Sequence, residues 1–498
     1  MITLLDICLP TTVFVLSSIL TIPAVKTIRN VRHRGNLLKL CWFSAVFSSA
    51  AAAVANLTLK YYSQQAIDPY VSLPMAGGSS AIFSSAFLVD AVSIYMAIIF
   101  MAVSAVTFMF SLFYIDSGEE FSERYYAVML MVTGCVIGTV FAGDLLTMFI
   151  FWEATAAGSS FLVLYNKTPR SLHATLKYLI MIIIASAFII YGLSVIYALT
   201  GTLNFWAAKR ALMTLQDKGL LELAFAFMAA GYSIEAAAVP FHMWLPDAYA
   251  AAPSSSSAFL SALVDQGSYY VLLRVLIYIL SPPTVLPWQL IFAVMSALTM
   301  IVGNLLALTE RNVKRLVAYL CIVDVGYNLV AITTVTPLGI MGNLYFFLVG
   351  GISTAAAFMA VGILNRMGFK TLDEFFGVGR KAPLTSLALV LTIFSFIGVP
   401  SLAGFMAKYI VFTSAIEANL SWLAVIGVLT SVIQAAYLLK IVNTMYGKKP
   451  VEESKIKEPK RLLIPVFILV ATLIVFGLYP APILNLINPV IEQLTFIP

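Results

Sequence analysis

The chain has 498 residues, of which 61% are hydrophobic and 10% charged, with a mean hydropathy of +0.97. Soluble domains carry about 25% charged residues, so this composition excludes them and points to a polytopic membrane protein. The net charge of +6 lies in short loops between apolar runs, which makes it a matter of topology and gives no reason to expect nucleic acid.

A membrane-spanning helix needs about 20 apolar residues, and fourteen such runs succeed one another. The first, 4–22, has no basic leader or small-residue cleavage site and is expected to remain as an anchor. Runs 37–57 and 82–113 complete an N-terminal three-helix segment, 1–120, with Asp90 in FLVDAVSIY. Runs 125–143, 145–165, 173–199, 222–245 and 256–280 form a first candidate repeat, 121–282. Asp144 precedes the fifth run and, like Asp90, occupies a position suited to helix capping. Glu153 lies in the middle of the fifth run, and Lys177 early in the sixth. The seventh run contains Glu235, then Pro240 and His242 in GYSIEAAAVPFHMWLPDA. The eighth begins at PSSSS (253–257) and carries Asp265 and Gln266. Runs 286–309, 314–335, 339–366, 386–412 and 419–446 form a second candidate repeat, 283–447. Asp324 stands in the tenth run, and the twelfth contains Pro400, Gly404 and Lys408 in FIGVPSLAGFMAKYIVF. A loop and the last run, 461–481, make up 448–498.

Proline removes a backbone donor, so Pro240 and Pro400 with Gly404 predict broken helices in the seventh and twelfth spans. Backbone breaks at membrane depth persist only where protein or a hydrated cavity satisfies the freed groups, and paired breaks in inverted repeats mark substrate paths. Ordinary proline kinks are the alternative.

The basic loops test the count, because cytoplasmic loops carry the excess of lysine and arginine. Alternation places 26–39, 165–170, 310–315, 365–381 and 448–461 on one side, and near-neutral turns such as SPPTVLP on the other. Both termini are then expected outside a prokaryotic cytoplasmic membrane. The acidic DSGEE (116–120) on the inner side and Lys209 and Arg210 on the outer side fit less well.

Local chemistry is sparse. Cys8, Cys41, Cys135 and Cys321 form no CxxC, His33, His173 and His242 give no haem pair, and no GxxxxGK[ST] loop is present. What stands out is the single charged or amide side chains in mid-span. An ionised group there costs roughly 2.5–3.5 kcal/mol on the mildest scale, so it faces a paired or hydrated interior. Glu153, Glu235, Asp265 with Gln266, Asp324 and Lys408 together suggest a route for ions.

Five strings, GDLLTMFIFWE (143–153), VPFHMWLPDAYAAAPSSSSAFLSALV (239–264), YYVLLRV (269–275), GNLLALTERNVKRLVAYLCIVDVGY (303–327) and GVPSLAGFMAK (398–408), resemble the antiporter-like subunits shared by respiratory complex I, Mrp sodium/proton antiporters, and archaeal membrane-bound hydrogenases and sulfur reductases. The resemblance runs from about 80 to 445. It implies an all-α membrane fold of fourteen helices with two inverted five-helix repeats and broken helices 7 and 12. It looks most like the shorter MrpD-like or complex I M/N-like type, which lacks a lateral helix after the fourteenth span. In that family a glutamate on the fifth helix pairs with a lysine on the seventh, and further lysines and a histidine pass protons to a lysine or glutamate on the twelfth. Glu153 and Lys408 match the two ends.

The middle departs from the pattern. Glu235 stands where the seventh-helix lysine is expected, Gln266 beside Asp265 where the eighth-helix lysine is, and Asp324 where the tenth-helix histidine is. Two carboxylates at close range share a proton, so Glu153 with Glu235 could carry protons or bind Na⁺ through hard oxygens. Lys177 could neutralise Glu153 or serve as an inside-facing anchor, and His242 could pack at the break or handle a proton. The expected function is proton or Na⁺/H⁺ translocation within a redox-driven or Mrp-type complex. Iron–sulfur, nickel–iron, flavin or quinone chemistry would belong to partner subunits, with redox partners on the cytoplasmic side and other antiporter-like subunits and lipids alongside. A non-pumping coupling subunit and a free-standing solute permease are the competing readings.

Overall fold

The structure is a computed structural model that describes residues 2–29, 35–63, 70–74, 84–116, 121–215, 218–280, 287–447 and 457–495. His33 and most of the basic 448–461 loop lie outside these residues, as do 117–120 of the acidic DSGEE stretch.

Two long helices, α1 (Leu4–Arg29) and α2 (Gly35–Ser63), open the chain; α1 packs on α2 and on the later α4 (Ser122–Val140). Between α2 and α3 (Ala91–Tyr114) the chain forms a short antiparallel hairpin, Tyr70–Pro74 with Ser84–Leu88, pairing Tyr70 with Leu88. The apolar run 82–113 therefore starts as a strand and becomes helical only after Asp90. There the Asp90 side chain accepts from the Ser93 amide at 2.8 Å while Ser93 Oγ accepts from the Asp90 amide, closing a capping box.

The same local chemistry sets later helix starts. Asp144 accepts from the Thr147 amide to begin α5 (Leu145–Leu164), and Thr168 with Ser171 and Pro169 begins α6 (Pro169–Thr200). Asn204 caps α7 (Phe205–Met213), a short amphipathic helix that holds Lys209 and Arg210. α8 (Gly219–Glu235) comes next and stops in mid-span; Ala236–Phe241 is non-helical with Ala237 at φ 53° and a cis Val239–Pro240 bond. The expected seventh-span break is present, and side chains partner two of the backbone groups there. The Val239 amide donates to Thr299 Oγ1 at 3.1 Å, and Trp244 Nε1 donates to the Ile234 carbonyl at 2.9 Å.

A 3₁₀ turn, His242–Trp244, leads to α9 (Leu245–Ala251). The eighth span is a continuous coil of α10 (Ser254–Phe259), a π segment Leu260–Val264, α11 (Asp265–Leu273) and a second π segment Arg274–Ile279. π segments favour functional sites and have no simple sequence signature. The second half of the chain contains α12 (Gln289–Thr309), α13 (Val313–Thr334) and α14 (Pro337–Arg366). After α15 (Val378–Lys381), the twelfth span consists of α16 (Pro383–Ile397) and α17 (Ala403–Glu417), and α18 (Ser421–Gly447), α19 (Lys460–Leu478) and α20 (Ala481–Thr495) complete the fold.

Among the described residues, eleven helices are long and apolar enough to cross a membrane, with Pro383–Ile397 and Ala481–Ile491 as shorter apolar helices. The seventh and twelfth spans are each cut by a break, after Glu235 and after Ile397, into pieces too short to count as one long helix. The apolar windows of α13, α14 and the eighth span are wholly buried, whereas those of α1 and α2 are buried over only a third of their length. The polar side chains of interest thus sit in the interior. α20, which the hydropathy runs do not single out, packs on α14 and α3.

The loops sort onto two faces. On one, Lys177 and Arg315 both reach Asp247, Asn166 donates to the Ala251 carbonyl at 2.9 Å, Lys314 donates to the Ala252 carbonyl, and Arg366 donates to the Tyr114 carbonyl. This is the basic face anticipated from the loops. On the other, the Gly143 amide donates to the Ala86 carbonyl at 2.8 Å and the Leu145 amide to the Leu203 carbonyl at 3.0 Å.

At the twelfth-span break Gly398 has φ +88°, and the α17 backbone comes very close to the end of α16. A Cβ at Gly404 would lie 1.9 Å from the Ser395 carbonyl oxygen, so no side chain fits without backbone movement. Gly404→Ala should destabilise the protein by about 1–3 kcal/mol or more. Thermal unfolding in detergent, with Gly427→Ala (a helical glycine facing the movable Phe412 ring) as comparison, checks this: equal effects would contradict the backbone-clash argument.

Candidate ion path

Buried polar side chains run through the interior from α5 to α17. At one end Glu153 is half-buried on α5, with Oε1 2.7 Å from Ser186 Oγ of α6. Its charged neighbour is Glu235 at the end of α8, 5% exposed. Neither oxygen of Glu235 has a hydrogen-bond partner among the described residues. Buried carboxylates left without partners are uncommon because desolvation is expensive, so such a pair is suited to taking up a proton or polar ligand. The buried phenols of Tyr178 and Tyr232 flank Glu235.

Tyr178 also lies within electrostatic range of Asp265, between the first pair and the centre. Asp265, the first residue after a π segment, accepts from the Tyr249 hydroxyl, and its second polar neighbour is the Cys321 thiol of α13. Asp324, one turn beyond Cys321, is the next acid in the interior; its Oδ2 has no partner among the described residues. The first positive charge along this line is Lys408, the electrostatic partner of Asp324. The two form no direct ion pair within 4.0 Å, so a gap separates acid from base.

Lys408 is 7% exposed, which rules out a lysine stretching toward the membrane surface. Its Nζ donates to the Phe396 carbonyl and Gln434 Oε1, each at 2.6 Å, and to Ser431 Oγ at 3.2 Å, and lies 4.7 Å from the centre of the Tyr327 ring. The Phe396 carbonyl is one of the groups freed by the break after α16. The helix break therefore supplies an acceptor to the ammonium, joining the Pro400–Gly404 irregularity to the chemistry of Lys408.

Several expected site residues lie elsewhere. Lys177 does not reach Glu153: its Nζ is 2.7 Å from Asp247 Oδ2, and Arg315 holds the other oxygen of Asp247 at 2.9 Å. The physical reason is topological, since Lys177 begins its span on the basic face, whereas Glu153 is in mid-span. Gln266 faces the glycines of α14, Gly350 and Gly351, rather than the acids. His242 is buried at the break with Lys177 as its charged neighbour, away from the acidic centre. Asp90 and Asp144 are caps, and Asp90 also forms a bidentate ion pair with Arg274 at 2.5 and 2.7 Å. Tyr178, Tyr249, Cys321, Ser431 and Gln434 join this buried polar line. Gln434 is a mid-span amide like Gln266 and was legible on that ground, whereas the hydroxyls and the thiol recur along these helices and only tertiary neighbours select them.

The family description NADH:quinone oxidoreductase/Mrp antiporter, transmembrane, matches residues 142–434, a span that contains Glu153, Glu235, Asp265, Asp324 and Lys408. The chain belongs to that family. This antiporter-like subunit is 32% identical over 420 residues to F(420)H(2) dehydrogenase subunit N of Methanosarcina mazei, covering 81% of this chain and 84% of that one. It is 31% identical over 411 residues to NADH-quinone oxidoreductase subunit N of Thioalkalivibrio sulfidiphilus, covering 81% and 85%. In structure it resembles a chain of the archaeal membrane-bound sulfane sulfur reductase, a respiratory membrane complex, with TM-score 0.85 and 25% identity over 97% of both chains. A chain of respiratory complex I from Thermus thermophilus gives TM-score 0.74 and 25% identity over 96% of this chain and 98% of that one. A chain of the Mrp complex from a Dietzia species shares the fold, with TM-score 0.82 and 22% identity over 98% of both chains. The antiporter-like subunit is thus a multi-pass membrane protein of the architecture found in complex I, Mrp and sulfur reductase assemblies.

Proposed function

We propose that this subunit translocates protons along the buried line Glu153, Glu235, Asp265, Asp324 and Lys408 within a larger energy-converting membrane complex. The observation that carries the reading is the spacing of partner-poor buried acids between groups that can both donate and accept a proton: the Tyr178 and Tyr249 phenols and the Cys321 thiol. A sodium site would instead gather several oxygens around one point. Glu235, at the end of α8, and Lys408, bonded to the end of α16, stand at the two helix breaks, as expected where irregular backbone borders a polar route through a membrane.

Packing also supports the two-repeat reading of 121–282 and 283–447. α4 packs on α5 and α5 on α6, as α12 packs on α13 and α13 on α14. Glu153 and Asp324 then occupy second helices of corresponding units. The basic face is read as cytoplasmic, which places both termini outside a prokaryotic cytoplasmic membrane. By analogy with the complexes named above, other membrane subunits, including antiporter-like neighbours, pack laterally. Redox subunits, with their iron–sulfur, nickel–iron, flavin or quinone cofactors, dock on the basic face.

Glu235→Gln keeps the shape of the side chain and removes its proton-carrying group. With the whole complex sealed in vesicles, proton uptake through this subunit should slow by about 100-fold, the lower end of what a positioned acid or base contributes. Unchanged uptake at normal turnover would leave a non-pumping coupling role instead, and uptake that requires Na⁺ would overturn the choice of ion.

A further inference from the structure

Away from the path, the basic face contains a cavity of about 710 Å³ between the end of α14, the turn from α15 to α16, and the start of α19. Arg366, Lys381, Lys457, Lys460 and Arg461 line it, so three separate parts of the chain bring cations to one space. Its lining carboxylate, Glu458, is already engaged. Glu458 accepts from the Leu384 and Thr385 amides at 3.2 and 2.9 Å and from Thr385 Oγ1 at 3.0 Å, capping the first turn of α16. Arg366 is held at the Tyr114 carbonyl and is 3.9 Å from the exposed Asp116. Among the described residues, Lys381, Lys457, Lys460 and Arg461 form no ion pair.

Part of the lining is apolar. Phe113, Leu384 and Leu462 contribute it, and the Arg461 guanidinium lies 6.0 Å from the centre of the Phe113 ring. From Leu462 onward α19 continues as a strongly apolar span to Leu478. Isolated lysines at helix ends snorkel to the interface and make no site. Here, converging cations meet an apolar lining at the level where a spanning helix begins, matching an anion joined to hydrocarbon. Basic pockets of this kind between spanning helices suit lipid phosphates.

We propose that this cavity binds the phosphate headgroup of an anionic phospholipid, with its acyl chains lying along α19. Such a lipid would tie the start of α19 to α14 and α16. The far end of α19 meets the twelfth-span break, where Gly477 abuts the Leu402 backbone. The site is independent of whether the path conducts.

The test uses the full chain in detergent, titrated with phosphatidylglycerol or phosphatidylcholine, with bound lipids counted by native mass spectrometry. Wild type should retain phosphatidylglycerol in preference to phosphatidylcholine. The triple change Lys381→Gln, Lys460→Gln and Arg461→Gln should weaken that retention roughly 100-fold, at about a factor of five for each cation near the surface. Lys440→Gln, an exposed lysine outside the cavity, should leave it unchanged. If the triple variant does not fold, the single exposed Lys460→Gln should still lower retention about fivefold. Equal retention of both lipids, or unaltered retention by the variants, overturns the proposal. Displacement by inorganic phosphate at matching concentration would identify a free-anion site instead. In the intact complex, loss of a neighbouring subunit with lipid retention unchanged would assign the cations to an acidic protein segment.

Discussion

Lys408→Ala is expected to slow proton translocation by the reconstituted complex by about 100-fold or more, because it removes the base that terminates the acidic line. The change also removes three hydrogen bonds, to the Phe396 carbonyl, Gln434 and Ser431, so alanine alone would not separate chemistry from packing. Lys408→Arg makes that separation. Arginine keeps a positive charge and can donate to the same acceptors, yet it does not release a proton in proteins. A proton-passing role requires that arginine fail almost as completely as alanine, while the arginine variant keeps wild-type thermal stability. Ion gradients restored by arginine would show that the position needs only a fixed cation, and Lys408 would then be a positioning residue for Asp324. Vesicle acidification measured at matched redox turnover decides between these outcomes.

The broad architecture was legible because hydrophobic runs and basic loops are long-range constraints written directly into composition. A span must be apolar for about 20 residues, and loop charge sets its direction, whatever packs against it. That logic located the interruptions at Pro240 and Pro400 and placed Glu153, Glu235, Asp265, Asp324 and Lys408 inside the membrane region. It failed where a feature depends on neighbours. The strand Ser84–Leu88 reads as an extension of an apolar helix because its hydrogen bonds go to residues 70–74 and 141–143, distant in sequence, and short apolar runs do not distinguish the two periods. The π segment before Asp265 widens the helical turn without any change in composition, so the helical period alone does not set where that side chain lies.

Lys177 shows the same limit from the other side. Sequence offers Glu153 as a partner in place of the seventh-helix lysine that Glu235 replaces, with a basic-face anchor as the alternative, and the alternation of spans places Lys177 at that face together with Asp247, which lies beyond the seventh-span break. Depth in the membrane is the deciding variable, and it is available from topology alone. The partner groups Tyr249 and Cys321 are not available that way, since tyrosine hydroxyls and buried thiols carry no charge that marks them out in a span. The acids can be found because charge in mid-span is rare, whereas hydroxyls there are common.

Replacing Arg274 with methionine should destabilise the protein by about 3–5 kcal/mol, the cost of leaving one member of a buried ion pair alone. Arg274 and Asp90 side chains are 1% and 2% exposed, and the guanidinium also donates through Nε to Tyr270 Oη at 2.6 Å, whose hydroxyl donates to the Val140 carbonyl at 2.8 Å. One side chain thus binds the eighth span to α3 and to the end of α4. Changing Asp90 to leucine alone should cost a similar amount, plus about 1 kcal/mol for the lost cap at α3. The double change removes both charges, so it should recover most of the ion-pair loss but not the cap. The three variants therefore form a cycle whose coupling is readable from unfolding midpoints in detergent. A loss below about 1 kcal/mol for Arg274→Met would place the pair among weak surface contacts and defeat the argument. The consequence reaches the path, because Asp265 lies on the same helix, nine residues before Arg274. If the pair fixes the rotation of that helix, restoring stability through the double change should also restore the Tyr249–Asp265 contact and, with it, proton transfer.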